Sequence, residues 1–293
     1  MPGGQSWART GGDIVVVFRD ERSEEYPRFS KRAIDNYRQL GLGDSMIEYL
    51  DIIYGLDPEW CELFLQYTRA GMYTREVVPQ STREICACAV LAALDKQAQL
   101  RQHLLGGAAV GATKEELLEA VLQSVTYGGF PSVMSSIRTY AEVFPEMVKR
   151  DRPVLPASEG EPPQGPRFPL AVETATYLWG EEHVNTMIGR YDRWDAGFSM
   201  LAQQFVHGGM YARTVVDFQM RELIAIACLT ARNALPQLET HLVVGFRLGI
   251  PRATMQEIIL QMTVYVGYPY VMQAMALFER LADATEQAAQ SDA

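Results

Sequence analysis

The feature that most constrains this chain is a long internal repeat. Gly71-Met72-Tyr73 recurs as Gly209-Met210-Tyr211, Arg83-Glu84 as Arg221-Glu222, and His103 as His241, in each case 138 positions on. Gly111 recurs as Gly249, and Tyr127, Gly129 and Pro131 as Tyr265, Gly267 and Pro269, with no gap needed between Gly71 and Met134. Solenoid repeats have periods of about 20–50 residues, so each copy here is expected to be a domain half with its own helices. Between the copies, Arg150 to Pro169 holds six prolines with Gly160 and Gly165, the composition of an extended, polyproline-like connector. The expected organisation is an irregular N-terminal arm (1–25), a first repeat (26–150), a Pro-rich linker (151–168), a second repeat (169–284) and an irregular tail (285–293).

Within each copy the apolar spacing is helical. Ser81-Thr82-Arg83-Glu84 has the form of a capping box opening an Ala/Leu/Cys-rich run to Leu94. Leu100, Leu104, Leu105 and Ala108 keep helical spacing up to a stop at Gly111, and Thr113 with Glu116 forms a second capping box. The next helix is expected to end at Gly128-Gly129, with Pro131 in the first turn of its successor, running to about Lys149. In the second copy 220–231, 238–248, 251–266 and 269–284 repeat that order. The one convincing strand candidate is Ile14 to Phe18, outside the repeat. The fold class expected is all-α: two tandem helical bundles.

Composition closes off several functions. The chain is 48% hydrophobic and 21% charged, so it has the balance of a soluble globular protein with a sizeable core. Its formal charge of -10 repels phosphate backbones and anionic lipids, so nucleic acid and membrane surfaces are unlikely partners. The longest apolar run, Ile85 to Leu94, is about half of a membrane span, and Ile14 to Phe18 is too short for a signal-peptide core. A cytoplasmic location follows as the default. Cys61, Cys86, Cys88 and Cys228 are too few and too irregular for a disulfide framework, and buried reduced thiols are expected.

Polar residues that recur inside apolar helices carry the functional signal, because burying them is costly unless they are paired. Glu84/Glu222 and His103/His241 meet that description as candidate catalytic groups. Glu84 has a structural alternative as the N3 member of a capping box with Ser81, but in the second copy the residue three before Glu222 is Gln219, a poor cap. The alternative for each His, which flanks an apolar stripe, is a satisfied core imidazole. Arg83 and Arg221 are candidates for a substrate carboxylate or a neighbouring helix. Trp60, Tyr73, Tyr127, Tyr211 and Tyr265 could wall a ring, or simply be core. His207 has Arg69 at its equivalent place and reads as a pocket group of one copy only, while His183, beside Glu181 and Glu182, reads as a solvated surface residue.

Each copy resembles the carboxymuconolactone decarboxylase family and its relative alkyl hydroperoxidase D, over most of 60–145 and 198–283. The resemblance rests on an Arg-Glu opening a small-residue helix, a His nineteen positions after the Glu, then Gly, an acidic helix and Tyr-x-Gly-x-Pro. It implies an all-helical fold assembling as dimers grouped into trimers, so that a fused chain is an intramolecular pseudo-dimer and the homo-oligomer a trimer of such chains. The family's redox members carry Cys-x-x-Cys ending four residues before the His. Here those positions are Lys96 and Gln99, and Ala234 and Gln237, so the thiols that disulfide exchange needs are missing. The resemblance then points to a cofactor-free and metal-free acid/base enzyme acting on a small-molecule ring or lactone, by decarboxylation, isomerisation or ring closure, in aromatic catabolism or secondary metabolism. Such chemistry must stabilise an oxyanion and deliver a proton to carbon, tasks suited to Arg or Tyr donors and to a His held by a Glu. The alternatives are a thiol-dependent peroxidase using Cys86 and Cys88, and a non-catalytic binding or scaffold protein with decayed pockets.

Overall fold

The computed structural model describes residues 8–10, 13–15, 21–151 and 167–291. These fall into two compact units, 1–39 with 43–74, and 40–42 with 75–293. The repeat therefore breaks at the linker in sequence, whereas the contacts break between Thr74 and Arg75.

The first unit opens with a hairpin of β1 (Ala8–Thr10) and β2 (Asp13–Val15), paired antiparallel. Of the expected strand Ile14 to Phe18, Ile14 and Val15 lie in β2 and the other residues fall outside the described ones, and part of the expected irregular arm is this hairpin. Three helices follow, α1 (Lys31–Gln39), α2 (Gly43–Leu56) and α3 (Pro58–Tyr67). Asp57 caps α3 by accepting from the Trp60 N–H, with Pro58 at the first position, where its missing N–H costs nothing. Phe29, Ile34, Tyr37, Leu50 and Leu65 are buried in this unit.

The second unit holds α4 (Gln80–Ala93), α5 (Gln97–Ala109), α6 (Lys114–Gln123) and α7 (Val125–Val143) from the first copy. From the second copy come α8 (Arg167–Trp179), α9 (Glu181–Trp194), α10 (Ala196–Phe205), a π-helical turn (Val206–Tyr211), α11 (Phe218–Ala231), α12 (Leu235–Arg247), α13 (Arg252–Gln261), α14 (Thr263–Val266) and α15 (Tyr268–Ser291). Most of the Pro-rich connector lies outside the described residues. Helix α8 takes in its last two positions, and α15 runs past Ala284 through the expected tail, whose Ala, Glu and Gln are good helix formers. The Thr113 capping box is present, with both of its reciprocal bonds. The chain breaks direction at Gly129 and Gly267, whose φ of +79° and +75° a side chain would resist, and Pro131 and Pro269 follow two residues later.

Helix α4 packs on α11 at the centre of one core shared by the two copies. Residues 86–90 and 224–228, rich in Ala and Cys, are wholly buried there. Small side chains let the two backbones approach closely. The two copies thus form the expected intramolecular pseudo-dimer.

A reciprocal polar lock joins the copies across this core. Arg83 Nη2 donates to Glu257 Oε1 (2.6 Å) and Arg221 Nη2 to Glu119 Oε1 (2.9 Å). Gln261 Nε2 donates to the Arg83 carbonyl (3.1 Å) and Gln123 Nε2 to the Arg221 carbonyl (2.8 Å). Arg75 and Arg213 complete the sets from the outside, each forked onto the same glutamate. All members repeat at the 138-residue offset, so the lock has a pseudo-twofold axis. It also corrects the reading of Arg83 and Arg221 as substrate groups: both are fully buried and their guanidinium groups bind the other copy. Burial pushes the Glu119 and Glu257 carboxyls up, but the two guanidinium groups on each outweigh it and hold them below the usual carboxylate range.

Removing one carboxylate would leave a buried Arg without its charge partner. Glu119→Ala or Glu257→Ala should lower the unfolding free energy by about 3–5 kcal/mol, measured by urea denaturation. Because these carboxyls titrate lower in the folded chain than their unfolded value of about 4.3, their contribution is present above that value and is lost as pH falls through the folded one, which acid-unfolding curves will register.

Candidate functional site

Two His–Glu pairs lie behind the lock. His103 Nδ1 is 2.6 Å from Glu84 Oε2 and His241 Nδ1 is 2.7 Å from Glu222 Oε2. Each Glu projects from the second turn of α4 or α11 and each His from the middle of α5 or α12. Both glutamates are fully buried, and the second oxygen of each has no donor among the described residues. The imidazole N–H is therefore the main compensation for burying each carboxylate, and in His241 it leaves Nε2 as the ring atom available for proton transfer. Ser81 plays no capping part: α4 is capped at Pro79 without a side-chain bond, and Glu84 turns inward to His103. In the second copy the cap of α11 is Asp217, two residues before Gln219, accepting from the Met220 N–H.

The second-copy pair opens on a cavity of about 570 Å³ lined mainly by aromatic and apolar side chains. His241, His207, Tyr127 and Tyr211 supply its inner polar groups, Trp179 and Phe198 line it, and His183 and Arg190 are exposed side chains at the same cavity. His183 is thus solvated, as expected from sequence, but it borders the site. The ring of Trp179 stands edge-on to both histidines, at 5.0 Å from His207 and 6.0 Å from His241. Sequence reading missed Trp179, because it lies outside the ungapped repeat.

The tyrosines cross over. Tyr127, from the first copy, lines the second copy's cavity, its hydroxyl 3.4 Å from that of Tyr211. Tyr265, from the second copy, packs against the His103 ring at 5.7 Å. Spacing alone would group Tyr127 with His103 and Tyr265 with His241, and both groupings are incorrect, whereas Tyr211 does lie with His241 of its own copy. Burial raises both the Tyr127 and the Tyr211 phenols, with the Glu222 charge adding to each, so both keep their protons near pH 7. In the first unit, Tyr73 lies under the Arg69 guanidinium, 4.4 Å from its ring centre, and Trp60 stacks on Phe64 at an exposed position.

His207 sits in the π-helical turn, a geometry often found at functional sites. At its neighbour Gly208 a Cβ would lie 2.3 Å from the Arg167 carbonyl oxygen, so glycine is what lets this turn pack closely on α8. The His207 Nδ1 is 2.7 Å from Gln203 Oε1. Burial, with a smaller contribution from His241, pushes its imidazole down to about 4, so it is neutral near pH 7. The four cysteines are buried, and burial pushes the Cys86 thiol up to about 12 and Cys88 and Cys228 higher than usual as well. Among the described residues no three His, Cys, Asp or Glu side chains converge as a metal site, and no helix is long and apolar enough to cross a membrane.

The family model for the carboxymuconolactone decarboxylase family matches residues 58–142 and again 201–280, more than half of the chain. The chain belongs to the carboxymuconolactone decarboxylase family. It is similar to the 4-carboxymuconolactone decarboxylase of Acinetobacter baylyi, 28% identical over 115 residues, which span 39% of this chain and 86% of that enzyme. A relative about the length of one copy fits a family unit present here twice.

The depressed His207 value has a direct check. Nitrogen-15 NMR of the folded chain should show the His207 ring neutral from pH 8 to pH 5, taking its proton only near 4. Since the unfolded ring binds its proton near about 6.5, acidification between those two values should also cost stability that a His207→Phe variant does not lose.

Proposed function

We propose that this protein is a cofactor-independent acid/base enzyme of the carboxymuconolactone decarboxylase type, acting on an oxidised ring or lactone. The observation that carries the reading is a His–Glu pair, His241 with Glu222, opening on a cavity large enough for a ring substrate. With Nδ1–H held by Glu222, Nε2 takes or returns a proton, and the buried carboxylate stabilises the imidazolium between the two events. In a decarboxylation next to a carbonyl, the bond from ring carbon to carboxylate breaks and carbon dioxide leaves. The electron pair passes into an enolate, whose oxygen accepts hydrogen bonds from the Tyr127 and Tyr211 hydroxyls. The His241 Nε2–H then protonates the ring carbon, and solvent restores the proton to the ring nitrogen. Isomerisation or ring closure would use the same groups without loss of carbon dioxide.

The second copy is proposed as the principal site, and His103 with Glu84 as a second pair of the same design. A thiol-dependent peroxidase has little support, since the positions of a redox pair hold no cysteine and the thiols present are buried with raised pKa values. We further propose that three chains assemble about a threefold axis, as closed symmetry and the family resemblance suggest. Light scattering at micromolar concentration should give about three times the 32.8 kDa chain mass.

The test is a pair of substitutions assayed on carboxylated lactones and larger oxidised rings, with folding followed by circular dichroism. His241→Ala should lower kcat by about 10²–10⁴-fold while His103→Ala stays within about threefold of wild type. Glu222→Gln should follow His241→Ala in kcat with little change in KM. Normal turnover in folded His241→Ala would make that imidazole core packing, and a chain inert on every ring tested would favour the binding-protein alternative.

A further inference from the structure

The second-copy cavity has a feature that its His–Glu pair does not use. His207 has one ring nitrogen bound to Gln203 and the other, Nε2, without a partner among the described residues, in a side chain that lines the cavity. Gln203 Oε1 accepts, so Nδ1 carries the proton and Nε2 presents a lone pair. The rest of the inner end is neutral or negative: two phenols, the Trp179 ring edge, and the Glu222 carboxylate behind His241. The only arginine of the lining, Arg190, is exposed. A carboxylate or phosphate oxygen placed at His207 Nε2 would meet a lone pair instead of a donor, whereas a hydroxyl would find there an acceptor it can satisfy.

From this arrangement we infer that the second-copy cavity selects a fused aromatic ligand through a hydroxyl group, phenolic or enolic, donated to His207 Nε2. The ring system fits the rest of the lining, where Trp179, Tyr191 and Phe198 offer faces and edges over a volume of about 570 Å³, ample for two or three fused rings. The neutrality of His207 near pH 7 keeps the acceptor available. The first copy has no such reader: Arg69, a permanent cation lying over the Tyr37 and Tyr73 rings, occupies the equivalent sequence position. His207 is thus a specificity-determining residue confined to one copy, and the inference deepens the proposed ring chemistry by naming the group that orients the ring.

Calorimetry on the full chain, in buffer with a little dimethyl sulfoxide, tests this without turnover. The probes are 2-naphthol, 2-methoxynaphthalene, which lacks the donor, 1-tetralone, which only accepts, and 2-naphthoate. Wild type should bind 2-naphthol about tenfold or more tighter than the other three, the discrimination expected when one buried hydrogen-bond partner is left unmet. In His207→Leu the naphthol advantage over 2-methoxynaphthalene should vanish. In His241→Ala it should persist, so failure of the proposed catalytic pair and failure of this inference are told apart. The advantage should also hold from pH 8 to pH 6 and fade below pH 5 as His207 protonates. Equal binding of naphthol and 2-methoxynaphthalene to wild type overturns the inference, as does tighter binding of 1-tetralone or 2-naphthoate, or no binding of naphthol at all. Because the wild-type comparison involves no substitution, an unfolded His207→Leu chain would not rescue it.

Discussion

The buried Arg–Glu lock between the copies is the interaction on which the rest of this molecule depends. Two guanidinium groups and two carboxylates are taken out of water at the centre of an apolar core, an arrangement that is costly unless every partner is in place. Each copy supplies the arginine for the other's glutamate, so neither copy satisfies its own charges. The lock therefore couples the folding of one half to the presence of the other. It also sets the register of α4 against α11, because the Gln–carbonyl bonds beside each ion pair fix where along the helix the partner sits.

That register determines the sites. Glu84 and Glu222 directly follow the locked arginines in sequence, so an arginine held across the copies aims the next side chain back into its own copy, towards His103 or His241. The same close pairing of the copies carries Tyr127 to the second cavity and Tyr265 to the His103 ring. A single helical step thus separates the residue that holds the dimer-like core together from the residue that orients the imidazole. Association and site geometry are one structural event here.

Much of this was legible in the sequence, and the part that was not has a physical reason. The all-helical class, the fused pair and the two Glu–His spacings follow from the repeat, because periodicity and repeated buried polarity survive in one dimension. For Arg83 and Arg221 a substrate carboxylate and a neighbouring helix both stayed open, because a buried arginine shows that it needs an anion but not where the anion comes from. Their partners were visible in principle: Glu119 and Glu257, with Gln123 and Gln261, also recur at the 138-residue offset on apolar helices, a signal as strong as that for the histidines. The tyrosine crossover had no such signal, since spacing within a copy is silent about which copy a side chain reaches. Trp179 was invisible for a third reason, lying outside the ungapped repeat.

The exchange of Arg69 for His207 between the copies bears on why the chain is fused. In a symmetric dimer of single-copy chains any change in the pocket appears in both pockets at once, so a residue suited to one ligand is imposed on the other site too. Joining the copies removes that restriction while the lock keeps the twofold core intact. The lock, the small residues of α4 and α11, and the His–Glu pairs are retained in both halves, whereas His207 faces Arg69 across the alignment. Divergence is concentrated in the segments that precede the locked helices, where a change in side chain alters what a cavity reads without disturbing the charges on which folding depends.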